Sequence, residues 1–306
     1  MKKLTGKRWP ALLCSIIAAL GLLAGFSAWA EEFAVGGNSL DWQFTSLPGA
    51  ELEGIARTWV HKSAQAVATY YGSFPARHAV VRITAGRGRE AKDGHASGWN
   101  GSVIDITLGK KATDADLADD WMLTHEMLHL CFPDLAEEHH WLEEGLATYV
   151  EPIARARVGI IKPERVWSDL VRDLPQGLPE AGDRGLDHTH TWGRTYWGGA
   201  LFCLRADVEM RRRSGNRHGL EDALRAIAAA GGTIEHSWKM DRVIAVGDGA
   251  VGAPVLRELY DEMKDKPVQV DLPALWKQLG VVKHGDTVIF DDHAPLAAIR
   301  KAIAGG

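Results

Sequence analysis

Cysteine is scarce, with three residues in a chain of 306. That excludes a small scaffold stapled by disulfides. Neither charge is in large excess. The formal net charge of −5 does not suggest an electrostatic grip on nucleic acid, and no nucleic-acid partner is expected. There is no internal repeat and no low-complexity linker, and beyond the first 30 residues no apolar run is long enough to span a bilayer. What remains is ordinary globular usage, 46% hydrophobic and 25% charged, which excludes a disordered tail protein and a pure coiled coil. The length suffices for one large domain or two smaller ones with a sizeable core. Twelve tryptophans are many. Most are expected in a core, and some are free to line a groove.

The first 30 residues read as a targeting segment. Lys2, Lys3, Lys7 and Arg8 precede an apolar run from Ala11 to Phe26, which closes on the small-x-small pattern Ala28-Trp29-Ala30. Cleavage after Ala30 is expected, leaving residues 31–306 exported to the periplasm or beyond, without stable membrane insertion. Export would leave Cys131 and Cys203 in an oxidising compartment. They either pair or remain two buried thiols, and sequence gives no distance to decide between these.

Period and punctuation give the coarse organisation. Leu52, Ile55, Ala56, Trp59, Val60, Ala66, Val67 and Tyr70 recur at helical spacing over 51–71. Residues 78–85 and 102–108 read as strands, separated by a Gly-rich loop over 86–101. Thr113 with Asp116 forms a capping-box start, and the helix it opens is expected to run to about Cys131, before Pro133. A second helix is expected over about 140–158. Further helices follow at about 164–173, 192–213, 219–230, 253–265 and 272–279, then a turn at 285–286, a short strand at 287–290 and a last helix over 294–303. Strands followed by helices indicate an α+β fold, with a sheet-containing part over about 31–112 and a helical part over about 113–306.

Residues 125–129 read His-Glu-Met-Leu-His. Positions i and i+4 are neighbours on one helix face, so His125 and His129 can offer two imidazoles to one zinc ion. Glu126, on the turn between them, is placed to act on the attacking water. This spacing also arises by chance, so a third ligand decides. In Trp141-Leu142-Glu143-Glu144-Gly145-Leu146-Ala147-Thr148-Tyr149-Val150-Glu151, Glu144 and Glu151 are seven apart and share a helix face. Glu144 is read as the third ligand, and Glu151 as the acceptor for the free ring N–H of a ligating histidine. The plainer readings are satisfied helix residues for the three ligands and a solvated helix face for Glu151. His139 and His140 are read as loop or surface residues. His188 and His190 are read as a polar loop, with a second metal site as the sharper alternative.

The paired segments, His-Glu-x-x-His and Trp-Leu-x-Glu-Gly-x-x-x-Tyr-x-Glu, resemble the gluzincin metallopeptidases, in particular the aminopeptidase N and glycyl aminopeptidase branches. The resemblance runs from about Trp121 to Arg213 and more loosely to Arg300. It implies a thermolysin-like zincin core with a mixed sheet. It also implies one zinc per chain on His125, His129 and Glu144, Glu126 as general base, and a peptide or protein substrate. It further implies an oxyanion-stabilising tyrosine, which falls on Tyr196 in Tyr196-Trp197-Gly198-Gly199, where glycine stands in place of the family's lysine; a core or groove tyrosine is the plainer reading. The family's Gly-x-Met-Glu-Asn segment corresponds to His95–Gly101, which has no glutamate. The family's edge strand, which pairs with substrate backbone, is expected at 102–108. The reading is an exported zinc metallopeptidase. A non-catalytic exported scaffold and a zinc hydrolase of a non-peptide amide are the alternatives.

Overall fold

The computed structural model describes residues 30–304. Of the expected targeting segment, residues 1–30, all but Ala30 lie outside the described residues. In chain order the elements are β1 (Ala30–Val35), β2 (Asn38–Phe44), α1 (Ala50–Tyr71), β3 (His78–Gly86), β4 (Ala91–Ser97) and β5 (Ser102–Gly109). Then come α2 (Asp114–Asp119), α3 (Met122–His129), α4 (His140–Arg157), α5 (Pro163–Asp173), a π-helical turn over Gly193–Gly198, α6 (Gly199–Ser214), α7 (Leu220–Ala229), α8 (Met240–Val251), α9 (Val255–Met263) and α10 (Leu272–Leu279). The hairpin of β6 (Val281–His284) and β7 (Thr287–Phe290), followed by α11 (Ala297–Ala304), completes the set. No helix among the described residues is long and apolar enough to cross a membrane.

The first five strands form one mixed sheet in the order β1-β2-β3-β5-β4. The central pairs β2–β3 and β3–β5 are parallel, and the outer pairs β1–β2 and β4–β5 antiparallel. Register places Trp42, Val81 and Ile104 in one row and Phe44, Ile83 and Ile106 in the next. All six are buried, so a single apolar face of the period-two pattern turns inward. The core continues from this face through α1, α3 and α4 into α6.

Two sequence expectations change here. The Gly-rich stretch over 86–101 is not all loop, because Ala91–Ser97 forms β4. The sheet edge is therefore β4, and residues 102–108 lie one strand inside it as β5. The helix expected from Thr113 to Cys131 is two helices. Its capping box is present, with Asp116 N donating to Thr113 Oγ1 and Thr113 N to Asp116 Oδ2. The break falls at Asp120, whose extended backbone ends α2 and whose carboxylate accepts from Leu123 N at the start of α3 and from Trp59 Nε1 of α1. Cys131 and Cys203 are both free and buried, and Cys131 Sγ donates to Met127 O at 3.2 Å.

Helix α4 meets α6 closely. A Cβ on Gly145 would stand 2.2 Å from the backbone of Gly199, and one on Gly199 would stand 2.0 Å from Trp141 O. Backbone meets backbone there with no room for a methyl group. A buried network ties the same two helices further along: Tyr149 Oη donates to Asp207 Oδ2 at 3.0 Å, and Arg211 bridges Asp207 to Glu221 of α7. We expect Gly199→Ala to destabilise the protein by about 1–3 kcal/mol, because the added methyl must push the helices apart. A melting transition within a degree of wild type would show that the crossing is looser than described.

Candidate metal and active site

Helix α3 carries the His-Glu-x-x-His residues into the core, with His125 and Glu126 buried and His129 partly so. Capping by Asp120 sets where this short helix begins. Its residues pack under β4 and β5 on one side and against α4 on the other. The imidazole centroids of His125 and His129 are 4.9 Å apart. Across from them α4 presents Glu144, whose Oε2 lies 3.1 Å from His125 Nε2 and 3.5 Å from His129 Nε2.

Two imidazole nitrogens and one carboxylate oxygen thus lie within 4.8 Å of one another. Ligand distances of about 2.1 Å in a tetrahedron place donors about 3.4 Å apart, so this set fits zinc with a fourth position left open. Among the described residues no other group of three His, Cys, Asp or Glu side chains converges in this way. Electrostatics agree with the donor set. Burial opposes the Glu144 charge, but hydrogen bonds with His125 and His129 outweigh it and hold the carboxyl well below its ordinary range. Burial lowers the His125 pKa and favours a neutral ring with a free lone pair. For His129, burial also pulls downward, but the Glu144 hydrogen bond and charge leave it raised.

Glu126 is 8% exposed and has no hydrogen-bond or ion-pair partner among the described residues. It faces a cleft of about 960 Å³ shared by His125, His129, Glu144 and Tyr196. The cleft wall opposite is β4. Ala91 and Lys92 pair with Leu108 and Thr107, then the register shifts before His95 pairs with Asp105. Two residues, Asp93 and Gly94, thus bulge against one, with Asp93 at φ 54°. A Cβ on Gly94 would stand 3.0 Å from Glu126 Cγ and Oε1, so glycine lets the strand come down onto that carboxylate. Gly94 was legible only as part of a Gly-rich loop. Its closeness to Glu126 depends on tertiary pairing.

Tyr196 sits in the π-helical turn before α6, where an extra residue per turn redirects side chains. Its ring stacks near His125 at 6.3 Å and on Trp192 at 5.6 Å. Burial, with the Glu144 and Glu126 carboxylates, pushes its pKa up to about 12, so the phenol keeps its proton at neutral pH.

Glu151 behaves differently from the sequence expectation. Its partner is Arg155, at 2.7 Å one turn on in α4, and among the described residues it has no hydrogen bond to a histidine. Seven residues put it on the Glu144 face but two turns, about 10 Å, along the axis. Burial pushes its pKa up to about 7 against the pull of Arg155. His140 flanks the donor set, with Nε2 3.4 Å from Glu144 Oε1. His139 bonds instead to the buried Asp187, which also accepts from Trp141 Nε1 and Tyr260 Oη. His188 pairs with Asp265 on the surface, and neither it nor His190 belongs to a converging donor group.

No protein-family model matches the sequence, and no curated protein matches it. Solved structures do match. An aminopeptidase N family protein from Idiomarina loihiensis superposes with a TM-score of 0.61 at 17% identity, over 83% of this chain and 49% of that one. The M1 zinc metallopeptidase from Deinococcus radiodurans gives 0.51 at 17% identity, over 80% of this chain and 53% of that one. A mutant of that enzyme bound to a Tyr-Ser-Ala substrate gives the same TM-score. The chain therefore has the zincin-like fold of aminopeptidase N family zinc metallopeptidases, and it spans about half the length of these structures.

The donor set predicts that Glu144→Ala, like His125→Ala or His129→Ala, abolishes tight zinc binding. Metal analysis of the purified variants checks this. Full zinc content in Glu144→Ala would assign the third ligand elsewhere, with His140 the nearest candidate.

Proposed function

We propose that this chain is an exported zinc-dependent peptidase that holds one zinc per chain and hydrolyses peptide bonds with Glu126 as general base. The observation that carries the reading is the convergence of His125, His129 and Glu144 beside a partnerless, buried Glu126 in a cleft walled by a sheet edge. The Tyr-Ser-Ala peptide held by the Deinococcus enzyme of the same fold favours a peptide substrate. The basic, apolar and small-x-small pattern of residues 2–30 favours export to the periplasm or beyond.

Each residue has a role that follows from its place. The free edge of β4 offers backbone donors and acceptors to an extended peptide, which would lie along the cleft as an added strand. Zinc, when bound by His125, His129 and Glu144, would supply Lewis-acid polarisation and an acidified water. Glu126 takes the proton from the attacking water and hands it to the leaving amine. Tyr196, protonated at neutral pH, donates its hydroxyl to the developing oxyanion.

Cleavage of a broad peptide library, abolished by a chelator and restored by zinc, is the expected result. Absence of cleavage by the zinc-loaded protein would favour a scaffold or a non-peptide amide hydrolase. Glu126→Gln should keep zinc and the melting transition while lowering turnover by about 10²–10⁴, because the amide is nearly isosteric but takes no proton. Tyr196→Phe should lower kcat by about 10²–10³ and leave KM nearly unchanged, since the donated bond matures only in the transition state. An unchanged kcat with a loss of about 1 kcal/mol in stability would make Tyr196 a structural residue.

A further inference from the structure

We propose that the cleft selects cationic peptides, those carrying lysine or arginine side chains. The inference rests on the peptidase reading for its site but on separate observations for its chemistry. The first is charge. Besides Glu126 and Glu144, the cleft is lined by Asp93, Asp134, Glu143 and Glu235, and among the described residues no lysine or arginine lines it. Asp93 has no hydrogen-bond or ion-pair partner among the described residues, and the partners of the other three are neutral donors or a histidine. Ser237 Oγ donates to Asp134 at 2.6 Å, Ser102 Oγ to Glu235 at 2.7 Å, and Leu135 N to Glu143 at 2.7 Å, with His140 3.6 Å away. Among the described ion pairs none joins any of the four to an arginine or lysine. Elsewhere the chain pairs its carboxylates with arginine freely, as in Glu209 with Arg212 and Arg213, or Asp207 with Arg211. A dication in the donor set would offset Glu126 and Glu144 and leave the other four charges uncompensated. Carboxylates of one sign along a cleft sum into a field that draws cations. Glu126 adds a side chain more than nine-tenths buried, without a protein partner, aimed into the same space.

The second observation is aromatic. Three tryptophans stand out as exposed: Trp99 at 90%, Trp192 at 60% and Trp121 at 48%. Trp99 and Trp121 line the cleft, and Trp192 stacks on Tyr196 from the neighbouring cavity that Trp121 and Tyr196 also line. The described cation–π contacts engage other rings, such as Trp238 under Arg242, and none engages these three. Tryptophan faces are the best aromatic partners for guanidinium and ammonium groups. Uncompensated carboxylates and open indole faces therefore converge on one ligand chemistry, a cationic side chain on an extended backbone.

Binding tests this apart from turnover. The zinc-loaded Glu126→Gln variant is titrated with three pentapeptides capped at both ends, Ala-Lys-Ala-Lys-Ala and its glutamine and glutamate counterparts, followed by intrinsic tryptophan fluorescence. The lysine peptide should bind at least about tenfold tighter than the glutamate peptide, and 0.5 M salt should compress the ratio. Adding Asp134→Asn and Glu235→Gln, which preserve the serine hydrogen bonds, should reduce the ratio about threefold or more. Equal affinities, no measurable binding of any peptide, or a preference for the glutamate peptide would overturn the inference. Failure of the peptidase reading is read separately: lysine-peptide selectivity without cleavage by the wild-type protein removes that reading and leaves this one, and cleavage without charge preference does the reverse.

Discussion

The contact between Gly145 and Gly199 governs the geometry of the site. Glu144 precedes one of these glycines and Tyr196 lies three residues before the other, so the backbone approach that joins α4 to α6 also sets the distance from carboxylate to phenol. Larger residues at either position would separate the helices and move both groups at once. The Tyr149, Asp207, Arg211 and Glu221 network then fixes the rotation of the same helices deeper in the core. Helix α3 is placed by a different constraint, the Asp120 carboxylate shared between its first turn and Trp59 of α1. The metal donors thus come from two helices, each anchored to the core through its own contact.

Much of the site was legible because its signals are local. The four-residue spacing of His125 and His129 and the Glu144-Gly145 segment are helix-face patterns, readable without tertiary knowledge. The same holds for α1, β3, β5 and the capping box at Thr113. Other elements owe their form to partners. Ala91–Ser97 contains no β-branched residue and no Phe, Tyr or Trp, and it is a strand only because β5 offers it a ladder. Helix α8 carries Gly247 and Gly249, which weaken its propensity, and it forms by packing on α7 and α9. The strand β2 carries the alternation of Leu40, Trp42 and Phe44, but it is short and stands just after the apolar leader-like run, which masks its period. The break at Asp120 depends on Trp59, 61 residues earlier, which no local pattern reveals.

Glu151 shows how far a periodicity argument reaches. Seven residues return a side chain to the same face, but the same spacing moves it about two turns along the axis. One turn further Arg155 lies close enough to claim it, and Arg155 also reaches Ala118 O at the end of α2. The pair therefore braces the wall beside the site. Cys131 and Cys203 illustrate the complementary case, where a spacing says nothing about distance: both thiols are free and buried, Cys131 in the turn just past α3 and Cys203 inside α6.

The bulge in β4 also bears on self-association. An open strand edge invites any extended backbone, including that of a second copy, and long flat edges lead to endless sheets. Here Asp93 turns left-handed after two paired residues, and the ladder resumes for only three more. Few consecutive rungs are available, enough for a short guest that also finds side-chain contacts in the groove, too few for a growing fibre that relies on backbone pairing alone. Lys92 and Asp93 add opposite charges beside the interruption. The irregularity that lowers the strand onto Glu126 thus doubles as a limit on how much foreign chain the edge can hold.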